Sequence, residues 1–349
     1  MRLSIISFTE AGGALNRELC KKLNQLGIEA QGYEKKAVNM SLGQWTEQAF
    51  SEKDGLIFIS ACGIAVRAIA PFVKDKFTDP AVVVLDEKAG FAVSLLSGHV
   101  GGANELARIV AELTGAVPVI STATDVNGRF AVDVFAKENH LFIADRILAK
   151  QMSAGILSGR QIPIYIDETV VDRDNIPGEL KLFESKEEFL RQRGIKAAVT
   201  VQRFASDIDI LYLIPKTVTV GIGCRKGISC EALEEKLDSE LLKAGIFRES
   251  IEKISTIELK KEEEGIKRLA EKLCVPFVWY EKAVLNGLEG EFSCSSFVMD
   301  TAGVDSVCER AAVAGSGGML FLKKQAGNGI TVAAARRKTE IRFEKEKTE

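Results

Sequence analysis

The chain has 349 residues, 46% of them hydrophobic and 27% charged, with a net charge of −3. At about 100–200 residues per domain this is two or three globular domains, and wholesale disorder is excluded. Its 46 Lys and Arg residues are scattered and form no basic stripe, which argues against a nucleic-acid partner. A small anionic ligand, needing only a few local donors, is not excluded.

No apolar run approaches the roughly 18–20 residues that span a bilayer. Arg2 to Phe8 is too short for a signal-peptide core and reads as a buried first strand. A cytoplasmic protein is expected, with no membrane partner. The seven cysteines are odd in number, irregularly spaced and without C-x-x-C, which fits free thiols. With only His99 and His140, a transition-metal site is poorly supplied.

In chain order, Leu3–Phe8 is followed by Leu15, Leu19, Leu23 and Leu26 at helical spacing, ending at Gly27. Strands are expected at Ile28–Tyr33 and Gly55–Ser60, and a helix over Cys62–Phe72. Ala81–Leu85 and Phe91–Leu96 flank a hairpin signal at Asp86–Gly90. A helix follows from Ala103 to Leu113, then a strand at Val117–Ser121. After Gly128 the pattern reads helical through about Leu157. Strands are next expected at Ile162–Ile166, Leu180–Phe183, Ala197–Phe204 and Ile210–Ile214. From Pro215 the alternation restarts with Thr217–Ile222, a turn over Gly223–Gly227 and a helix capped by Ser229. Ile254–Leu259, a helix at Glu262–Leu273, Pro276–Tyr280 and a helix after Ser306 follow. The chain then closes on strands Met319–Lys323 and Ile330–Ala334.

Strands alternating with helices define a multi-domain α/β protein. We expect an N-terminal domain over 1–133 with a mostly parallel sheet flanked by helices. A small middle α/β domain follows over 134–215, then a C-terminal α/β domain over 216–337 and a charged, frayed tail over 338–349.

Four segments carry candidate chemistry. Ser97–Glu105 combines Gly98, Gly101 and Gly102 with His99, Asn104 and Glu105 at a helix start, where amide donors and the helix dipole favour an anion. His99 is the side chain best suited to move protons near neutral pH. Ser60–Arg67 also runs from strand to helix, and strand ends of a parallel sheet gather at one crevice. Cys62 is there a nucleophile or a packing residue, Gly63 a close-approach position, and Arg67 a carboxylate contact or a solvated side chain. Thr122–Arg129 places Asp125 after a strand end, as a base or a turn-former, with Arg129 as a further cation. Gly221–Gly227 approaches a dinucleotide fingerprint, but its last glycine is one position late. An anion-binding turn built on Gly223, Cys224, Arg225 and Lys226 is the better reading.

These segments together resemble the cobalt-precorrin-5A hydrolase family of anaerobic cobalamin biosynthesis. The resemblance covers most of the chain. It is densest from Gly55 to Asp125, through GLIFISACGIAVRAIAP, SLLSGHVGGANELA and PVISTATD, and returns at VTVGIGCRKGIS and ITVAAARR. It implies hydrolysis of a lactone on a cobalt-bearing, carboxylate-fringed tetrapyrrole, then loss of acetaldehyde. On that footing cobalt arrives with the substrate and no resident cofactor is expected. His99 is the expected base, with Asp125 and Glu105 as further acid–base candidates and the Gly101 and Gly102 amides as oxyanion donors. Arg67, Arg129, Arg225 and Lys226 are expected to meet carboxylates. A tetrapyrrole methyltransferase, a non-catalytic corrinoid carrier and a nicotinamide dehydrogenase are the competing readings. A homodimer is admitted but not required.

Overall fold

In the first strand, side chains pointing to opposite faces are both apolar, so the strand must be covered on both sides. The computed structural model describes residues 1–37, 39–75, 78–122, 128–205 and 208–343. Residue contacts divide the chain into two units, Met1–Val134 and Phe135–Glu349.

In the first unit, β1 (Arg2–Ser7), α1 (Glu10–Gln25), β2 (Glu29–Glu34), α2 (Leu42–Glu52), β3 (Gly55–Ile59) and α3 (Cys62–Ile69) lead to β4 (Ala81–Leu85) and β5 (Phe91–Leu96). α4 (Ala103–Thr114) and β6 (Val117–Val119) follow. The sheet order is β2-β1-β3-β4-β5-β6. Leu3, Ile5, Ile57, Val83 and Leu85 face α1 and α4, whereas Ile6, Leu56, Phe58, Val82 and Val84 face α2 and α3. This period of two is what sandwiches the sheet between helices.

β1 to β4 run parallel, but the Asp86–Gly90 hairpin turns β5 antiparallel to β4, pairing Leu85 with Ala92 and Val82 with Leu96. β6 follows the direction of β5. The chain therefore leaves β5 at the edge where β4 begins, and leaves β3 at the opposite edge.

α5 (Val132–Glu138) is followed by a turn at His140, which takes a positive φ of 53°. Leu141–Ile143 is then a strand, β7, and α6 is Arg146–Leu157. The helix expected through this stretch is thus interrupted. Leu141 is buried and Phe142 exposed, as a strand requires, and β7 pairs antiparallel with β12 (Ile210–Pro215). Between them lie β8 (Ile162–Ile166), β9 (Thr169–Val170), β10 (Leu180–Phe183), α7 (Lys186–Leu190) and β11 (Lys196–Val199), and the sheet reads β10-β8-β11-β12-β7.

The last sheet reads β15-β14-β13-β17-β16. Its elements are β13 (Val218–Cys224), α8 (Cys230–Lys243), β14 (Ile251–Ile257), α9 (Glu264–Lys272), β15 (Phe277–Tyr280), α10 (Lys282–Asn286), α11 (Ser296–Ala302), α12 (Val307–Ser316), β16 (Met319–Gly327) and β17 (Ile330–Arg336). β13, β14 and β15 are parallel, and β17 and β16 complete the sheet antiparallel. Asp300 and Thr301 fall inside α11.

The expected fraying fails over Lys338–Phe343. Glu340–Ile341 (β18) pairs with β9, the Lys338 ammonium donates to Asp167 Oδ1 at 2.7 Å, and the Thr339 N–H donates to Glu168 Oε2 at 2.9 Å. Phe343 stacks on Phe135 at 5.0 Å. Charge in this segment marks counter-ions for half-buried Asp167 and buried Glu168, not a solvated tail.

Candidate functional site

The loop after β5 is tightly built. Ser97 and Gly102 take positive φ of 57° and 88°. A Cβ on Gly101 would lie 2.3 Å from Ser97 Cβ, so this position has no room for a side chain. The Gly102 N–H donates to the His99 carbonyl at 3.0 Å and the Ala103 N–H to that of Ser97 at 3.1 Å. The Gly102 amide is therefore occupied, which corrects its expected role as an oxyanion donor. The Gly101 N–H has no acceptor among the described residues.

Asn104 is buried and braces the loop. Its Oδ1 accepts from the Ser94 hydroxyl at 2.7 Å, and its Nδ2 donates to Thr122 Oγ1 at 3.1 Å. Its amide packs at the Gly98 backbone, where a Cβ would meet Oδ1 at 2.7 Å. Asn104 is thus a brace for this loop, not an open ligand contact. Glu105 points outward and pairs with Arg108 at 3.4 Å, away from the acid–base role expected of it.

His99 itself is well sheltered. Its Nδ1 lies 3.4 Å from Asp133 Oδ1 on α5, with side-chain exposures of 13% and 12%. A carboxylate on one imidazole nitrogen fixes the ring's orientation. The sequence reading missed Asp133, whose pairing depends on how α5 returns to the loop. Asp125 lies outside the described residues. Arg129 is exposed, with partners of its own.

Cys62 and Gly63 open α3, whose cap Ala61 offers no side-chain acceptor. Arg67 folds back over this end, its guanidinium 3.6 Å from the Cβ position of Gly63. This corner stands at the carboxyl end of β3, and the His99 loop stands at the opposite edge of the sheet. The expectation that both turns line one crevice is overturned. Antiparallel β5 delivers its loop to the far side.

The second unit contains a cavity of about 640 Å³ at the carboxyl ends of β13 and β14. Gly223 and Cys224 prove to be the last residues of β13, so the turn is confined to Arg225–Gly227. That leaves no glycine-rich dinucleotide turn. All four expected residues, Gly223, Cys224, Arg225 and Lys226, line the cavity. The Arg225 N–H donates to the Gly329 carbonyl at 2.9 Å, tying the turn to the start of β17. α11 and the first turn of α12 contribute apolar wall through Val298, Ala302 and Val307.

Two cations that sequence reasoning did not single out, Lys260 and Lys324, share this lining. Lys260 pairs with Glu263 at 2.9 Å. Arg225 and Lys324 form no ion pair among the described residues, whereas the charge of Lys226 acts on Glu263. Burial raises the Cys224 thiol, with Lys260 pulling it down and Glu263 pushing it up, and burial likewise raises Cys308. Both thiols are accordingly held protonated, as packing groups of the wall.

An α/β protein with a partly apolar, cation-fringed cavity at its strand mouths is equipped to hold a bulky, acid-bearing ligand. Comparison with known proteins gives that class a family. The model for "Cobalamin synthesis G N-terminal" matches residues 44–125, and that for "Cobalamin synthesis G C-terminus" matches residues 218–335. A cobalt-precorrin-5A hydrolase of Salmonella typhimurium is 36% identical over 291 residues, covering 82% of each chain. One from Priestia megaterium is 34% identical over 299 residues, covering 82% of this chain and 79% of its own. A putative cobalamin biosynthesis protein G homolog from Sulfolobus solfataricus, solved by crystallography, is 22% identical, with a TM-score of 0.41 over 96% of this chain and 97% of its own. The chain belongs to the cobalt-precorrin-5A hydrolase family. No helix among the described residues is long and apolar enough to cross a membrane.

Proposed function

We propose that the protein is itself a cobalt-precorrin-5A hydrolase. Water adds to the ring A δ-lactone and splits it into a carboxylate and a free hydroxyl. The hydroxyl then gives up its proton, its oxygen closes to a carbonyl, and the carbon–carbon bond to the ring breaks. Acetaldehyde leaves, and the electron pair passes to the macrocycle, which takes up a proton to give cobalt-precorrin-5B. Water is the sole co-reactant and cobalt belongs to the substrate, so no resident cofactor is assigned.

The observation that carries this reading is the C-terminal cavity, whose wall holds Arg225 and Lys324 outside any ion pair among the described residues, with Lys226 beside them. A cation left unpaired at the mouth of an apolar cavity is placed for an acid group of the ligand. His99 is assigned as the base for water, held by Asp133, and the Gly101 N–H as an oxyanion donor. The two assignments belong to different units and are tested separately: the cavity by ligand affinity, the His99–Asp133 pair by turnover.

The test is to mix the purified protein with cobalt-precorrin-5A and measure acetaldehyde and product mass. Release of one acetaldehyde per product is expected. A spectral shift on binding without acetaldehyde would identify a carrier instead. Full acetaldehyde release by His99→Ala would reject the base assignment.

A further inference from the structure

We infer that Lys324 is the cation that fixes the register of the ligand's acid groups in the C-terminal cavity, and that buried Glu309 is the positioning residue that aims it. The inference rests on the cavity reading above and assigns roles within it.

β16 carries a bulge. Leu322 pairs with Ala334 and Gln325 with Val332, so three steps on β16 match two on β17. A bulge takes one amide out of the ladder and re-aims the neighbouring side chain. Here the released amide is that of Lys324, and it donates to Glu309 Oε1 at 2.7 Å. Lys324 lies on the cavity wall beside Cys308.

Glu309 is 0% exposed, on the first turn of α12. Its second partner is Ser293, whose N–H donates to Oε2 at 2.5 Å and whose hydroxyl donates to Oε1 at 2.9 Å. A buried carboxylate is costly unless its oxygens are fully bonded. This one uses that bonding to join three segments distant in sequence. It locks the bulge on one side and, on the other, the strand of loop that leads into α11 and its wall residues Ser295 and Val298. Glu309 forms no ion pair among the described residues, and the hydroxyl of Ser306, the cap of its own helix, is a further hydrogen-bond partner. Its remaining donors are those of the bulge and of the α11 approach. A carboxylate serving α12 alone would bond only within that helix's first turn, and this one reaches two other segments as well.

Lysine suits this position as a point charge on a flexible stem, and an ordered backbone beneath it limits where the charge can reach. A ligand whose acid groups are spaced around a disc is then held at two points, by Lys324 on β16 and by Arg225 on the turn after β13. Two fixed cations select one orientation of the disc, which a single cation would not.

The experiment titrates uroporphyrin, a carboxylate-fringed porphyrin, into the full chain and follows its absorbance at low and raised salt. Lys324→Ala is expected to weaken binding about tenfold, the loss typical of one charge-assisted contact, and to flatten the salt dependence. Glu309→Gln is expected to weaken it as well, and to add little on the Lys324→Ala background, because Glu309 acts through Lys324. Should Glu309→Gln fail to fold, Glu309→Asp keeps the charge, shortens the reach and replaces it in the cycle. Binding weakened by Arg225→Ala but indifferent to Lys324→Ala would overturn this inference and leave the cavity reading standing. A Glu309 loss that persists in full without Lys324 would overturn the positioning role. Wild-type protein that ignores uroporphyrin would remove the cavity reading and this inference together.

Discussion

Gly221 sits at the centre of β13 where α12 crosses it, and the approach is closer than any side chain allows. A Cβ at this position would lie 1.8 Å from the Cys308 carbonyl oxygen and 2.8 Å from the Ala312 nitrogen. Restoring ordinary contact at 3.4 Å takes a shift of about 1.6 Å, and both obstacles are helix backbone, which cannot rotate aside as a side chain would. Gly315 fits the same crossing, with Thr219 Cγ2 at 2.6 Å from its Cβ position. Gly221→Ala must therefore lift the amino-terminal half of α12, which carries Val307 and Cys308 of the cavity wall and Glu309. Overpacking of this kind costs about 1–3 kcal/mol where side chains can yield, and about 3 kcal/mol or more is expected here. With two units in the chain a single melting curve is ambiguous. Hydrogen exchange of peptides from β13 and α12, against peptides from α4 as an internal reference, separates them. Accelerated exchange confined to β13, α12 and β17 is expected. Wild-type protection in those peptides, with stability changed by less than about 0.5 kcal/mol, would refute the packing argument.

Asp133→Asn should lower acetaldehyde turnover on the order of 10²–10⁴-fold with KM little changed, because the imidazole loses the carboxylate that orients it. Steady-state kinetics checks this, and unchanged kcat would dissolve the pair. Asn104→Ala should cost about 1–3 kcal/mol, since it strips partners from the Ser94 and Thr122 hydroxyls, and should loosen the His99 loop. Thermal melting with kinetics tests both effects. For pH, burial alone would raise the Glu309 carboxyl, but the Lys324 and Ser293 amides and hydroxyl donors outweigh burial and hold it below the usual range. Asp305 is held down by its hydrogen bonds from Arg310. Both groups have a lower pKa folded than unfolded, so the unfolded chain binds the proton first. Their stabilisation is present above the ordinary carboxylate range of about 3.9–4.3 and is lost as pH falls through the folded values. Uroporphyrin binding should weaken along that acid limb together with exchange protection in α12. An acid limb of the same shape in Glu309→Gln would count against Glu309 as its source.

The elements that could be read from sequence are those whose pattern is local. Period-two burial in β1, β3 and β4, the Asp86–Gly90 hairpin and the Ser229 cap all declare themselves within a few residues. β7 did not, because three residues between two helices are too few to show a period, and its partner β12 lies some seventy positions on. Asp133 and Lys324 escaped for a related reason. An aspartate in a helix and a lysine in an edge strand are ordinary surface residues until the return of the chain sets one against His99 and a bulge turns the other inward. Glu309 reads as a first-turn helix acid, and its bonds to positions 293 and 324 are invisible to any window of sequence.

Strand direction, more than glycine content, decides where the candidate sites form. In the first unit the hairpin reverses β5, and the glycine loop that follows is carried to the edge opposite Cys62 and Arg67. In the last sheet a reversal has the opposite effect. β17 runs antiparallel to β13, so its first residue, Ile330, pairs with Cys224 at the end of β13, and Gly329 meets Arg225 across the mouth. A parallel β17 would have sent that end to the far edge and left the Arg225 turn alone. One geometric rule thus separates two glycine-rich turns that looked like partners and joins two others more than a hundred residues apart. The cavity exists because the second reversal comes at the end of the sheet where β13 and β14 both finish.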